Sequence, residues 1–120
     1  MKKTVVLGAS DNPTRYAYKA FHRLRAHGYE AVPVGIKKAE LDGEPIITDK
    51  SQPIEEVDTV TLYVGPRNQP VWYDYILGLK PKRIIFNPGT ENQELERMAQ
   101  EAGIDTMHHC TLVMLASNSY

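Results

Sequence analysis

Val5-Val6-Leu7 reads as a short buried strand, and it runs straight into the small polar turn Gly8-Ala9-Ser10-Asp11-Asn12-Pro13. A strongly amphipathic helix pattern follows, and then a second apolar run, Ala31-Val32-Pro33-Val34, which ends in Gly35-Ile36-Lys37-Lys38. This strand–turn–helix–strand order constrains the fold more than any other feature of the chain. Two strands joined by a crossover of roughly a dozen residues or more lie parallel, with the helix packed on one face of their sheet. The first turn also has a chemical consequence. Backbone N–H groups and the positive end of the helix dipole converge there, and both favour an anion.

The rest of the chain repeats the pattern. Three helical segments each show one apolar stripe at i, i+3, i+4, i+7 spacing. The first is Ala17, Ala20, Phe21 and Leu24, with Asn12 and Pro13 expected as cap and first-turn residues and Gly28 as the terminator. The second is Trp72, Tyr75, Ile76 and Leu79, bracketed by Pro70 and Pro81. The third is Leu95, Met98, Ala99 and Ala102, with Thr90 and Gln93 at capping-box spacing and Gly103 beyond its end. Thr59 to Val64 is rich in β-branched and aromatic residues, Arg83 to Phe86 is a short apolar run, and Ile104 to Met107 is a weaker fifth strand. Strands alternating with helices predict an α/β, Rossmann-like three-layer domain: a mostly parallel five-stranded sheet with helices on both faces. Pro33 removes a ladder donor from a strand expected to be interior, which places it at the last paired residue. Between Lys37 and Asp58 the pattern breaks, with turns at Asp42-Gly43 and Glu44-Pro45, a small strand at Ile46-Ile47 and one helical turn at Pro53 to Val57.

Length and charge narrow the function classes. At 120 residues the chain is expected to be a single domain over 1–120. A hydrophobic share of 42% and a charged share of 24% exclude a disordered chain. A net charge of −1 gives no global electrostatic case for nucleic acid or a membrane surface. No apolar stretch approaches the ~20 residues of a membrane span, and Val5-Val6-Leu7 is too short for a signal peptide. The single cysteine excludes an internal disulfide and suits a reducing, cytoplasmic setting.

In an open parallel sheet, ligands bind outside the carboxyl ends of the strands, where the strand order reverses. Those ends are Gly8-Ala9-Ser10, Gly35-Ile36-Lys37, Gly65-Pro66-Arg67-Asn68, Asn87-Pro88-Gly89-Thr90 and His108-His109-Cys110. Gly8 permits a tight turn and close backbone approach, and Ser10 and Arg15 are donors for phosphate oxygens. A branched side chain at Gly8 is expected to fill the space a diphosphate needs. Ala9, Ser10 and Pro13 leave no second or third glycine of a G-x-G-x-x-G turn, which argues against an ordinary NAD site. The second strand likewise ends in Lys37 and Lys38 rather than in Asp or Glu, which suits an additional phosphate on the ribose.

Taken together, Gly8 to Tyr16, Tyr18-Lys19-Ala20-Phe21, Gly28 to Val34, Asn87 to Asn92 and Cys110 resemble the small stand-alone CoA-binding protein family. That family is related to the CoA-binding domain of the succinyl-CoA synthetase α subunit, and the similarity runs through the whole chain. The resemblance implies a Rossmann-like domain that holds coenzyme A, or an acyl-CoA, with its diphosphate on the first turn. The binding residues it implies are Gly8, Ala9, Ser10, Asn12, Arg15 and Tyr16 on that turn, and Val34, Gly35, Lys37 and Lys38 after the second strand. Val64, Gly65, Pro66 and Asn68 follow the third strand, and Asn87, Pro88 and Gly89 the fourth. The family continues Pro-Val with Asn-Pro-Lys, where this chain has Gly35-Ile36-Lys37. The lysine is kept and the Asn-Pro turn is not. Lys37 or Lys38 would meet the 3′-phosphate, and Arg67 and Asn68 would line the pantetheine path.

Other chemistry is weaker. His108-His109-Cys110 with His22 or His27 suggests zinc, but neighbouring strand residues point to opposite faces and rarely ligate one tetrahedral ion. Cys110 is expected near the cleft, within reach of the pantetheine thiol. Its competing reading packs it beside Leu112 and Met114 as a small buried hydrophobe. Trp72, Tyr73 and Tyr75 could stack on RNA, but helix spacing already explains Trp72 and Tyr75 as core. No residue is expected to be catalytic and no metal is expected. The ligand is a small nucleotide-containing molecule, and a homo-oligomer is open. Two rivals remain: a small NADP-dependent oxidoreductase, and a protein-interaction module with a vestigial nucleotide pocket.

Overall fold

The computed structural model describes residues 2–120. Lys3–Leu7 forms β1, Tyr16–Ala26 α1 and Glu30–Val34 β2. A hairpin of Glu40–Leu41 (β3) and Glu44–Pro45 (β4) follows. Then come Thr59–Leu62 (β5), Tyr73–Gly78 (α2), Arg83–Phe86 (β6), Gln93–Glu101 (α3), Asp105–His108 (β7) and Thr111–Ala116 (α4). One parallel sheet runs in the order β2-β1-β5-β6-β7. The strand order reverses between β1 and β5, so the switch point lies at their carboxyl ends. The α/β Rossmann-like architecture is the one the sequence predicts.

Alternation along the strands produces the three layers. Val5, Leu7, Val60, Leu62, Ile84 and Phe86 face one side, under Trp72 and Ile76 and under Leu95 and Ala99 of α3. Val6 and Ile85 face the other, under Ala17, Phe21 and Leu24 of α1 and Met114 and Leu115 of α4. With both faces covered, the central strands must be apolar on both, as Val5-Val6-Leu7 and Ile84-Ile85-Phe86 are. The α1 side also carries three fully buried threonines, Thr4, Thr59 and Thr61, each paired through its hydroxyl. Thr61 lies 2.8 Å from the Thr111 hydroxyl, Thr59 accepts from Arg83 Nε at 2.8 Å, and Thr4 meets the Tyr120 hydroxyl.

Several local expectations change. The sequence reading did not include α4, a helix of 6 residues that starts just after β7 and packs against α1. The second helix is short, with two 3-10 turns, Pro66–Asn68 and Pro70–Trp72, leading into it. β2 is an edge strand rather than an interior one, which is why it tolerates Pro33. The Pro33 carbonyl accepts from Ile47 N–H at 2.9 Å on the outer side, so the missing donor points away from β1. Asp42 (φ 54) and Gly43 (φ 80) make a tight hairpin turn between β3 and β4. Ile47 contributes only an isolated bridge to Val34, and Pro53 to Val57 is not helical.

The helix caps move as well. Asn12 does not cap α1; its Oδ1 accepts from Thr14 N–H and Oγ1 in a local turn, and Arg15 stands at the N-cap without a side-chain cap. Thr90 and Gln93 do not form a capping box. Thr90 Oγ1 instead donates to Asn87 O, and Asn92 Oδ1 accepts from Glu94 and Leu95 N–H at 3.0 and 3.2 Å.

Candidate ligand cleft at the carboxyl ends of the strands

An open cleft of about 390 Å³ lies at the switch point. Gly8, Ala9 and Ser10 come from the end of β1, and Arg15, Tyr16 and Ala17 from the start of α1. Ile36 and Lys37 follow β2, Tyr63 and Gly65 follow β5, and Pro88, Gly89 and Thr90 follow β6. Four strand ends therefore meet one helix start.

Two glycines set the backbone there. Gly8 has φ +99, and a Cβ on it would sit 3.0 Å from the carbonyl carbon of Tyr63. Gly35 approaches Ala9 so closely that a Cβ would lie 2.9 Å from its carbonyl oxygen. A side chain at Gly8 therefore clashes first with the Tyr63 backbone just after β5 rather than with a ligand, and the expected consequence of Gly8→Val becomes a folding defect. The N–H groups of Gly8 and Ala9 both donate to Val34 O, at 2.9 and 3.0 Å. These two residues shape the floor of the cleft, and the donors that face an anion lie further on.

Those donors belong to α1. The helix begins without a side-chain cap and carries no acidic residue in its first turn. Its leading N–H groups, at Tyr16 and Ala17, belong to residues that line the cleft. The exposed guanidinium of Arg15 stands at the same end. Ser10 Oγ accepts from Asn12 N–H at 3.0 Å, leaving its own proton to donate. Lys37 crosses the mouth to pair with Asp11 Oδ1 at 3.2 Å, and both side chains remain solvent-accessible. Such a pair is worth less than about 1 kcal/mol, so it exchanges readily for a stronger anion.

Tyr63 is a wall residue that the sequence reading missed. Its hydroxyl is buried without a hydrogen-bond partner, and burial above all pushes its pKa up to about 12. It is a hydrogen-bond donor at any physiological pH. The signal was its position directly after the last residue of β5, hidden because Thr59 to Val64 reads as one continuous strand.

The remaining candidates lie outside the cleft wall. Val34 is buried beneath it, and Val64 gives its carbonyl to Gln69 Nε2 at 2.8 Å. Asn12, Lys38, Pro66, Arg67 and Asn68 are exposed around the rim. Asn87 is buried, and its amide is committed: Nδ2 donates to Thr61 Oγ1 and Leu62 O, and Oδ1 accepts from Thr111 N–H at 2.9 Å. It ties β5, β6 and α4 together beside the cleft. Cys110, half-buried, opens on a smaller cavity next door with Tyr16, Tyr63, Asn87, Pro88 and Leu112. The Cys110 N–H donates to His109 Nδ1 at 2.9 Å, and His108 Nε2 lies 3.1 Å from Glu96 Oε2.

An open parallel sheet with a cleft at its switch point has the architecture in which α/β domains bind ligands. The chain belongs to the CoA binding domain family, which matches residues 2–116. A crystal structure of an uncharacterized protein is 56% identical, with a TM-score of 0.97, over 100% of this chain and 98% of that one. The Thermus thermophilus protein designated cell-free ID.343 is 27% identical with a TM-score of 0.87, over 99% of this chain and 90% of that one. The dinucleotide-forming acetyl-coenzyme A synthetase 1 of Ca. Korarchaeum cryptofilum shares the fold at 21% identity and a TM-score of 0.73, over 90% of this chain and 25% of that one. No curated protein matches the chain. Among the described residues, no helix is long and apolar enough to cross a membrane.

Proposed function

We propose that this domain binds coenzyme A or an acyl-CoA in the switch-point cleft and performs no chemistry of its own. The diphosphate lies against Ser10 and the open N-terminus of α1, with Arg15 as the charged partner. The adenosine 3′-phosphate lies toward the end of β2, where Lys37 releases Asp11 and pairs with it. Lys38 follows on the exposed rim as a secondary charge. Family membership supports coenzyme A binding in general. The placement rests on one observation above the others: α1 reaches the cleft with its first turn uncapped and free of carboxylates. An anion from outside the chain is what such a helix end lacks. The reading assigns no base, since Tyr63 holds its proton to about pH 12.

Gly65 provides the cleanest test. It lines the cleft with φ −63, a conformation any residue adopts, and a Cβ there meets nothing within 4 Å. Gly65→Leu should fold like the parent and fill the ligand's space. In the parent, coenzyme A at a hundred times its Kd should stabilise the fold by about 2.7 kcal/mol, on the order of 10 °C in melting temperature. NAD, NADP and buffer should shift it far less, and Gly65→Leu should abolish the coenzyme A shift. A folded Gly65→Leu variant with undiminished affinity would place the ligand elsewhere.

A further inference from the structure

We infer that the small cavity beside the cleft receives the acyl group of a short-chain acyl-CoA, an inference that rests on coenzyme A occupying the cleft itself. The cavity encloses about 220 Å³ between Tyr16, Tyr63, Asn87, Pro88, Cys110 and Leu112. Tyr16, Tyr63 and Pro88 are walls of the main cleft too, so the two spaces adjoin. Their chemistry differs. The main cleft has Arg15 and Lys37; among the described residues, no charged side chain lines the smaller cavity. Its one amide, Asn87, is already spent on Thr61, Leu62 and Thr111. What remains is two aromatic rings, a proline, a thiol and a leucine. A phosphate or a ribose gains nothing there, whereas a hydrocarbon sheds its contact with water.

The Tyr63 hydroxyl does not change that balance: it is fully buried beside the Thr61 and Thr111 hydroxyls, so the ring and not the hydroxyl faces the cavity's occupant. Of the parts of an acyl-CoA, the acyl hydrocarbon is the one that apolar walls favour over phosphate, ribose or the amide-bearing pantetheine arm. At the ~30 Å³ that a water molecule takes up in the liquid, the cavity holds on the order of seven non-hydrogen atoms, an acyl group of roughly two to six carbons.

Calorimetric titration with coenzyme A and with its acetyl, butyryl, hexanoyl and palmitoyl thioesters tests this. Each methylene buried should tighten binding by about fourfold up to the capacity of the cavity, with no gain from hexanoyl to palmitoyl. Cys110→Phe fills the cavity from a position outside the main cleft. It should leave coenzyme A affinity unchanged and flatten the chain-length series; if circular dichroism shows that it does not fold, Leu112→Phe makes the same test. Equal affinity across the series, with coenzyme A still bound, overturns the acyl assignment and leaves the coenzyme A reading standing. A chain-length gain that survives cavity filling also overturns it. Failure of coenzyme A and every thioester to bind removes both readings together.

Discussion

Two strand-to-helix turns open at the same end of the sheet, and they are built in opposite ways. After β6, the chain closes its own helix end. Asn92 takes the N–H groups of Glu94 and Leu95, Glu94 and Glu96 add negative charge to the first turn, and Gln69 Nε2 bonds Thr90 O at 2.8 Å. After β1, Asn12 and Ser10 satisfy only the turn before the helix, and α1 starts bare behind Arg15. Helix ends are ordinarily satisfied by caps, water or ligands. The difference is what the proposed site rests on: α3 supplies its own cap and counter-charge, and α1 has neither, which is where the proposal puts the ligand's anion.

That contrast breaks most visibly if α1 is given a cap. Arg15 sits at φ −82, ψ 143, the backbone a capping residue uses, so Arg15→Asp should cap the helix and raise stability by about 1 kcal/mol. The same change removes the cation and sets a carboxylate against the diphosphate. Coenzyme A affinity should fall about a hundredfold or more, close to 3 kcal/mol, in calorimetric titration. A variant gaining stability and keeping its affinity would separate the helix end from the ligand.

Between the two turns, Tyr63 links the cleft to pH. Its folded pKa of about 12 lies above the ordinary tyrosine value near 10, so its protonated form is the one the fold favours. The stabilisation is complete below pH 10 and is lost as pH rises through about 12, at most about 2.7 kcal/mol. Burial raises Tyr75 and Tyr120 in the same direction. Denaturant unfolding at pH 8 and pH 11.5 should show the loss in the parent and a smaller loss in Tyr63→Phe. An identical pH dependence in both would remove Tyr63 from the account.

Asn92→Ala sharpens the other side. It should cost about 1–2 kcal/mol in denaturant unfolding, the usual value of a lost cap, and leave coenzyme A affinity unchanged. A large loss of affinity would mean that the two turns are not separate in function. The smallest effect belongs to Lys37. Coenzyme A should bind up to about tenfold tighter than its dephospho form, Lys37→Ala should reduce the difference, and the Lys37→Ala, Lys38→Ala double variant should erase it.

The order of strands and helices was legible because burial enforces it. Phe21, Leu24, Ile76, Leu95 and Ala99 are wholly buried, and their spacing is what the helical stripes recorded. The end of the sheet that carries the cleft was legible for the same reason. Features decided by neighbours distant in sequence were not. Pro33 is acceptable only because β2 lies at an edge, and the committed amide of Asn87 depends on Thr61, 26 residues away. Asn12 before Pro13 has the composition of a cap, yet its side chain closes on Thr14 and the helix begins later. α4 went unseen because 6 residues give too short a period to read.

A backbone-amide NMR titration with coenzyme A tests the central claim most directly, because it watches both helix ends in one experiment. The account predicts saturable shifts at Ser10, Tyr16 and Ala17, with Glu94 and Leu95 unmoved behind their Asn92 cap. Shifts at Glu94 and Leu95, or silence at Tyr16 and Ala17 while the ligand is bound, would contradict it.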